Sequence, residues 1–404
     1  PRSTLDRSSA ASDVYKRQNP LDRLFVRSGR IIVRCRSTRG RNRRGMTYER
    51  NNIRAMEGYS YGEQPTDRDV IKLNTNENPY PPTPQIRSTL KNFDIDLLRR
   101  YPDPTAYGLR RLVASRFDVT ADNVLVTNGG DEGLRLAVTT LVNPDGVLGM
   151  VDPSYSLYPV LANIQGCRVE SLRLENSWTL PESFSAQMNA SGAQLTCLVN
   201  PHAPSGVLCP VDALREIAEA LKGVLLIDEA YVDFVDPALD YSAIPLVQEF
   251  DNVLVLRTLS KGYSLAGLRL GFLIGNDELI EPMATKTRDS YNIDTITQSV
   301  ALVALDEAAH ALENCAKVRA ERDRVRDELC KSGFVVPESQ ANFLLAEVPR
   351  SVNASSLYRS LREAQILVRY FNSSPLDRCL RITIGTRSEN DQFLNTVAQI
   401  LQSN

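Results

Sequence analysis

A lysine stands directly after one of the most apolar segments of the chain. The run NVLVLR, typical of a buried strand, leads into TLSKGYSLAGLR, from Thr258 to Arg269. A lysine amine in such a position can form a Schiff base with a carbonyl compound. Ser260 and Arg269, on either side of Lys261, carry a hydroxyl and a planar cation that suit a phosphate. The segment therefore predicts a Schiff-base lysine beside a phosphate site.

Polar residues follow four more apolar runs. They comprise Gly129 to Glu132, Asp152 to Tyr155, Asn200 to Gly206 and Asp228 to Tyr231. Ligands of open α/β sheets bind beyond the carboxyl ends of the strands, so these residues are expected to share one crevice. A glycine pair that opens a helix offers N–H groups to a phosphate, Asp228 suits a protonated pyridine nitrogen, and Tyr155 can stack on an aromatic ring. With Lys261 they predict pyridoxal 5′-phosphate as cofactor.

The elements that must position these residues alternate along the chain. Six short apolar runs between residues 123 and 275 are separated by helical patterns such as VDALREIAEALKG. Several runs are apolar at every position, which is typical of strands covered by helices on both faces. The pattern predicts a large α/β domain with a mostly parallel sheet at 96–304. Later helix and strand signals predict a smaller α+β domain formed by 46–95 and 305–404.

Composition narrows the class of protein. The chain has 404 residues, of which 42% are hydrophobic and 24% charged, with a net charge of -2. This balance is that of a globular protein and argues against nucleic-acid binding. No apolar run approaches the roughly 18 residues that suggest a membrane span. Seven scattered cysteines without a C-x-x-C pair, and two histidines, predict no metal site and a reducing, cytoplasmic setting.

The first 45 residues differ from the rest, because they contain 13 Lys and Arg residues against 3 acidic ones. They show no helical periodicity. We expect a non-native or disordered basic extension here, with Met46 as the start of the native protein. A transit peptide is the alternative, although the three aspartates and the missing apolar stripe weigh against it.

Six ordered motifs carry a family resemblance. They are KLNTNENPYPP (72–82), RRYPDP (99–104), TNGGDEGL (127–134), DEAYVDF (228–234), RTLSKGYSLAGLRLGF (257–272) and CLRITIGTR (379–387). From about residue 50 onward the chain resembles the fold-type I pyridoxal-phosphate-dependent aminotransferases, and among them the histidinol-phosphate aminotransferases. The resemblance implies a homodimer.

The resemblance also implies a role for each cofactor-binding residue. Lys261 would bind the cofactor covalently and then act as the general base. Asp228 would pair with the ring nitrogen, Tyr231 with the phenolic oxygen, and Tyr155 would lie over the ring. The cofactor phosphate would be bound by the backbone at Gly130 and Asp131, by Ser260 and Arg269, and by Tyr101 of the partner subunit. Thr258 would be a further cofactor-binding residue.

Substrate-binding residues follow from the same resemblance. Arg381 would bind the carboxylate of glutamate, and Arg369 and Tyr59 would help to hold the phosphate of histidinol phosphate. One position departs from the family: Ala203 stands where an asparagine usually donates to the phenolic oxygen of the cofactor. We expect the loss of this donor to raise the pKa of the Schiff base that Lys261 would form with the cofactor.

The implied reaction converts L-histidinol phosphate and 2-oxoglutarate to imidazole-acetol phosphate and L-glutamate, a step of histidine biosynthesis. An aromatic or broad-specificity amino-acid aminotransferase is the nearest alternative. A lyase that decarboxylates phosphothreonine and a non-catalytic, cofactor-binding regulator are further ones. The regulator is disfavoured because 1–45 contains no helix-turn-helix pattern.

Overall fold

A computed structural model describes residues 48–67 and 69–402. The basic extension predicted at 1–45 lies outside the described residues. Residues from Arg50 onward form a compact unit. Among the residues described, no helix is long and apolar enough to cross a bilayer.

The core of this unit is a sheet that, within the described residues, contains seven strands in the order β2-β8-β7-β6-β5-β3-β4. Their bounds are β2 Val124–Thr127, β3 Val147–Asp152, β4 Arg168–Arg173, β5 Leu195–Val199, β6 Val224–Asp228, β7 Val253–Thr258 and β8 Gly271–Gly275. Strand β8 runs in the direction opposite to the other six, which confirms the mostly parallel sheet predicted from the sequence.

Helices cover both faces of the sheet. In β7, Val253 and Val255 pack into one hydrophobic cluster, whereas Leu254 and Leu256 pack into the other. Successive side chains of a strand point to opposite faces, so an uninterrupted apolar run is what a doubly covered strand requires.

The described helices are α1 Asn51–Ala55, α2 Gln85–Lys91, α3 Tyr107–Phe117, α4 Gly129–Leu141, α5 Leu157–Gln165, α6 Phe184–Ser191, α7 Val211–Ala220, α8 Leu246–Glu249, α9 Asp277–Pro282, α10 Thr295–Asp306, α11 Ala308–Lys331, α12 Ala354–Glu363 and α13 Arg387–Gln402. Short 3-10 turns lie at Ile95–Arg99, Ala121–Asn123, Val232–Phe234, Pro237–Leu239 and Ala266–Leu268, and a π turn at Met283–Thr287.

Smaller sheets lie near the ends of the described chain. Strands β11 (Arg369–Tyr370), β12 (Cys379–Thr383) and β9 (Phe343–Glu347) form an antiparallel sheet, and β1 (Ile71–Lys72) pairs in parallel with β10 (Ile366–Leu367). Helices α11, α12 and α13 contribute to a third hydrophobic cluster against these strands. On this basis we propose the two domains that the sequence predicts, with 96–304 as the large one and 46–95 with 305–404 as the small one.

Candidate active site

A cavity of about 460 Å³ lies beyond the carboxyl ends of the parallel strands. Twelve of the thirteen site residues expected from the sequence line it: Tyr59, Gly130, Asp131, Tyr155, Asp228, Tyr231, Thr258, Ser260, Lys261, Arg269, Arg369 and Arg381. The exception is Tyr101, whose side chain is 79% exposed and stacks on Tyr291 with ring centroids 4.4 Å apart. Residues that are up to about 320 positions apart in sequence therefore meet in one crevice.

Lys261 reaches the cavity from the turn that follows β7. Its Nζ donates a hydrogen bond to the backbone oxygen of Thr75 at 3.1 Å. The pKa of this amine is lowered to about 8, mainly by burial. The positive charge of Arg381 contributes to the same shift. A neutral amine is the nucleophilic form, so this environment makes Lys261 more reactive near neutral pH than an exposed lysine.

Asp228 ends β6 and is only 3% exposed. Burial raises the pKa of its carboxyl to about 6, and two hydrogen bonds oppose that shift. The Tyr158 hydroxyl donates to Oδ2 at 2.9 Å, and the Ala230 backbone N–H donates to Oδ1 at 3.2 Å. Asp228 is consequently ionised at neutral pH although it lies in the protein interior.

Tyr158 did not emerge from the sequence as a site residue. It lies in the first turn of α5, three residues after Tyr155, and the two rings meet edge to face with centroids 5.6 Å apart. The sequence signal that could have found Tyr158 is its spacing of three residues from Tyr155 at the start of a helix. Residues at i and i+3 lie on the same side of a helical turn.

Tyr155, which is predicted to lie over the cofactor ring, is fixed by polar and aromatic neighbours. The Tyr155 hydroxyl donates to Asp131 Oδ1 at 3.1 Å, and its ring meets that of Tyr59 at 6.0 Å. Tyr59 precedes β1 and is 41% exposed, so it lies at the solvent side of the cavity. These contacts hold the Tyr155 ring at the wall of the cavity.

The glycine pair and Arg269 form a close-packed cradle. Gly129 opens α4 with φ +73°, and a Cβ atom there would lie 2.6 Å from Nη2 of Arg269. The same guanidinium forms an ion pair with Asp131 at 3.0 Å. Free N–H groups at the helix start and an adjacent arginine are the features that bind a phosphate. A glycine is needed here both for the backbone conformation and for the approach of Arg269.

Two hydroxyls complete this end of the cavity. Thr258 Oγ1 lies 2.9 Å from Ser260 Oγ and accepts the backbone N–H of Ser260 at 3.1 Å. The Thr258 hydroxyl also donates to the backbone oxygen of Leu270 at 3.0 Å. This arrangement fixes the turn that carries Lys261.

Two arginines on neighbouring strands of the small antiparallel sheet also line the cavity. Arg369 on β11 pairs directly with Arg381 on β12. Arg381 donates through Nη2 to the backbone oxygen of Asn74 at 3.1 Å, whereas its buried Nε has no partner among the described residues. Its guanidinium lies 5.4 Å from the Phe343 ring centroid. Two adjacent cations, one of them partly buried and incompletely paired, favour an anionic ligand.

Ala203 lines the cavity, whereas the neighbouring His202 is buried and is not among the lining residues. His202 bridges Ser205 Oγ at 2.7 Å and the Pro153 backbone oxygen at 2.9 Å, and burial lowers its pKa to about 4. It therefore stays neutral and ties two loops together. Ala203 lines the cavity without a polar side chain, as the sequence indicated.

Comparison with known families decides the class of protein. The family model for aminotransferases of class I and II matches residues 68–397. The chain belongs to this family. The aminotransferase uses pyridoxal 5′-phosphate as cofactor, and its cavity fits that molecule: it offers a partly buried amine, a buried carboxylate and a glycine cradle beside an arginine.

Curated relatives align with most of this aminotransferase and with nearly all of their own length. Histidinol-phosphate aminotransferase 1 from Nostoc sp. is 43% identical over 357 residues, which cover 88% of this chain and 99% of the relative. Histidinol-phosphate aminotransferase from Clostridium botulinum (strain Langeland) is 36% identical over 358 residues, covering 88% and 98%.

Solved structures share the fold. Histidinol-phosphate aminotransferase from Sinorhizobium meliloti, in complex with pyridoxal-5′-phosphate, has a TM-score of 0.80 at 21% identity and covers 89% of this chain and 99% of that one. L-threonine-O-3-phosphate decarboxylase from Porphyromonas gingivalis has a TM-score of 0.70 at 19% identity, covering 82% and 100%. Enzymes that are named for different reactions therefore share this fold, and substrate choice depends on the side chains of the cavity.

Proposed function

We propose that this aminotransferase interconverts L-histidinol phosphate plus 2-oxoglutarate and imidazole-acetol phosphate plus L-glutamate, in histidine biosynthesis. The observation that carries the proposal is that Arg369 and Tyr59 line the same cavity as Lys261. A second phosphate-binding group is needed only by a phosphorylated substrate. The names and identities of the relatives support the same reaction.

The bound cofactor supplies a conjugated ring that accepts electron density from the substrate's Cα. Asp228 would keep the ring nitrogen protonated, because the aspartate is ionised at neutral pH and shielded from water. Lys261, with its lowered pKa, would accept the proton from Cα and return it at C4′. Tyr231 would donate a hydrogen bond from its hydroxyl group to the phenolic oxygen of the cofactor.

The remaining residues would bind and orient. Ser260, Arg269 and the N–H groups at the start of α4 would hold the cofactor phosphate. The planar fork of Arg381 would bind the carboxylate of glutamate, and Arg369 with Tyr59 would bind the phosphate of histidinol phosphate. The two amino substrates would thus use neighbouring anion sites in one cavity.

We further propose a homodimer in which Tyr101 of the partner subunit reaches the cofactor phosphate. Support comes from the segment that runs from the end of α2 to the first residue of α3. Its large apolar side chains are exposed on the described chain: Leu90, Ile95, Leu97, Leu98, Tyr101 and Tyr107. A contiguous stretch of this kind is typical of a protein interface.

A cytoplasmic location is part of the proposal. The six described cysteines are all free, and four of them are buried. Free buried thiols are typical of proteins that work in a reducing compartment.

A half-reaction experiment tests the proposed function. Purified holoenzyme is mixed separately with L-histidinol phosphate, L-glutamate, L-phenylalanine and phosphothreonine, and the visible cofactor band is followed, with Lys261→Ala as control. Loss of the band with histidinol phosphate and with glutamate, and its return with 2-oxoglutarate, is the expected result. Reaction with phenylalanine but not histidinol phosphate would assign an aromatic aminotransferase instead.

Arg369→Gln refines this experiment. The variant should lose reactivity toward histidinol phosphate by roughly 10-fold or more, because a charge-assisted hydrogen bond contributes about 1.5–3 kcal/mol. Its reaction with glutamate should change much less, since Arg381 remains. An equal loss with both substrates would contradict separate anion sites.

A further inference from the structure

Asn76 is hydrogen-bonded to Tyr231. Its side-chain Nδ2 donates to the Tyr231 hydroxyl oxygen at 3.0 Å. The asparagine follows β1, is 1% exposed and lines the cavity. It therefore lies between a strand of the small sheets and the tyrosine that is expected to contact the cofactor.

The backbone of Asn76 is held independently of its side chain. Its N–H donates to Thr383 Oγ1 at 2.9 Å, and its carbonyl oxygen accepts Asn342 Nδ2 at 3.0 Å. The Thr383 hydroxyl also donates to Asn76 Oδ1 at 3.1 Å, which directs Nδ2 toward Tyr231. The residue has φ 55°, a left-handed conformation that asparagine tolerates better than most residues.

The direction of this bond determines what Tyr231 can do. An amide nitrogen only donates, so the tyrosine oxygen accepts and its own proton is free for another acceptor. The ring of Tyr231 is fixed by an edge-on contact with Phe343, with centroids 4.9 Å apart. A hydroxyl that already accepts a bond is a stronger donor, because chained hydrogen bonds polarise one another.

We propose that Asn76 is a positioning residue that directs the Tyr231 proton to the phenolic oxygen of the cofactor and offsets the donor missing at Ala203. The inference rests on the proposed cofactor contact of Tyr231. Asn76 acts on the cofactor only through that tyrosine, whereas an asparagine at position 203 would act directly.

Several charged or titratable groups face Tyr231 from the elements around it. They are Arg381 on β12, Asp228 at the end of β6, Tyr59 before β1, and Lys261, whose Nζ lies 5.9 Å from the ring centroid. All of them remain in a variant that changes only Asn76. A change in the pH response of the cofactor can therefore be assigned to the lost hydrogen bond.

The test is a pH titration of the visible absorbance of the full-length holoenzyme. Asn76→Gly removes the amide and tolerates the positive φ, and Asn76→Ala keeps Cβ in case the glycine variant is unstable. Both variants should raise the pH midpoint by about one unit, as expected when Tyr231 loses its orientation and with it a bond worth roughly 1.5 kcal/mol to a charged acceptor. Adding Ala203→Asn should bring the midpoint back toward that of the wild type.

A double-mutant cycle with Tyr231→Phe makes the test specific. In that background Asn76→Gly should leave the midpoint within a few tenths of a unit, because its route to the cofactor is already removed. An unchanged midpoint in both single variants, or an equal shift with and without Tyr231, would overturn the inference alone. A wild-type protein that shows no cofactor band would overturn the proposed function and the inference with it.

Discussion

Asp228→Asn should stabilise the protein from which the cofactor has been removed, while it impairs the cofactor site. Burial raises the pKa of Asp228 to about 6 in the folded protein, from about 4 in the unfolded chain. The folded state therefore binds the proton more tightly than the unfolded state. The ionised carboxylate lowers the free energy of unfolding, and this cost develops as pH rises from about 4 to above 6.

The magnitude follows from the difference between the two pKa values. A shift of about two units corresponds to about 3 kcal/mol at pH 8, and to much less at pH 4.5, where the folded carboxyl is mostly protonated. Asparagine has nearly the same shape and carries no charge. Its carbonyl oxygen can still accept the Tyr158 hydroxyl, but its amide group then faces the Ala230 N–H, which loses its acceptor. This lost bond adds a cost that does not vary with pH, so the removal of the charge is measured by how the difference grows with pH.

The assay is urea denaturation of the apoprotein at fixed protein concentration between pH 4.5 and 8. The free energy of unfolding of Asp228→Asn should exceed that of the wild type by an amount that grows with pH. Asp152→Asn, at the exposed end of β3, reports the effect of the same chemical change outside the core. A difference that stays constant across this pH range would refute the reasoning about Asp228.

Three further predictions concern the supports of the site. Tyr158→Phe should raise the pKa of Asp228 by about one unit, because it removes a hydrogen-bond donor to the ionised carboxylate. The pH profile of cofactor affinity measures this, with Tyr241→Phe, which changes a partly buried phenol, as control. Gly129→Ala should weaken cofactor binding at least 10-fold, since Cβ would displace the adjacent guanidinium; fluorescence titration of the apoprotein checks it, and an unchanged affinity would be contrary. Arg257→Met should cost about 3–5 kcal/mol of unfolding free energy, because it leaves the buried carboxylate of Glu229 unpaired; denaturation should show a smaller loss when Glu229→Gln is added.

The large domain was predictable because its strands have a simple signal. The predicted run 195–199 is β5 itself, and the run 252–257 differs from β7 by one residue at each end. A strand covered on both faces must be apolar throughout, so both its position and its length appear in the sequence. The polar residues after each run then lie at one edge of the sheet.

The short elements were less accessible to this reasoning. Strands β1, β10 and β11 contain two residues each, and their partners lie hundreds of positions away in the case of β1 and β10. Two residues have no recognisable periodicity, and their pairing depends on the packing of the third hydrophobic cluster. The contact between Asn76 and Tyr231 follows from that pairing, and it could not be inferred from the motif that contains Asn76.

The electrostatics of the site depend on burial, which no motif expresses. Burial lowers the pKa of Lys261 to about 8 and raises that of Asp228 to about 6, so both shifts oppose the charged forms. At neutral pH each charge costs the folded state about 3 kcal/mol. The lysine bonds a backbone oxygen and the aspartate bonds a phenol, so neither charge neutralises the other. A cofactor that gives the carboxylate a cationic partner and converts the amine to an imine relieves both costs, and the holoenzyme should therefore be markedly more stable than the apoprotein at neutral pH.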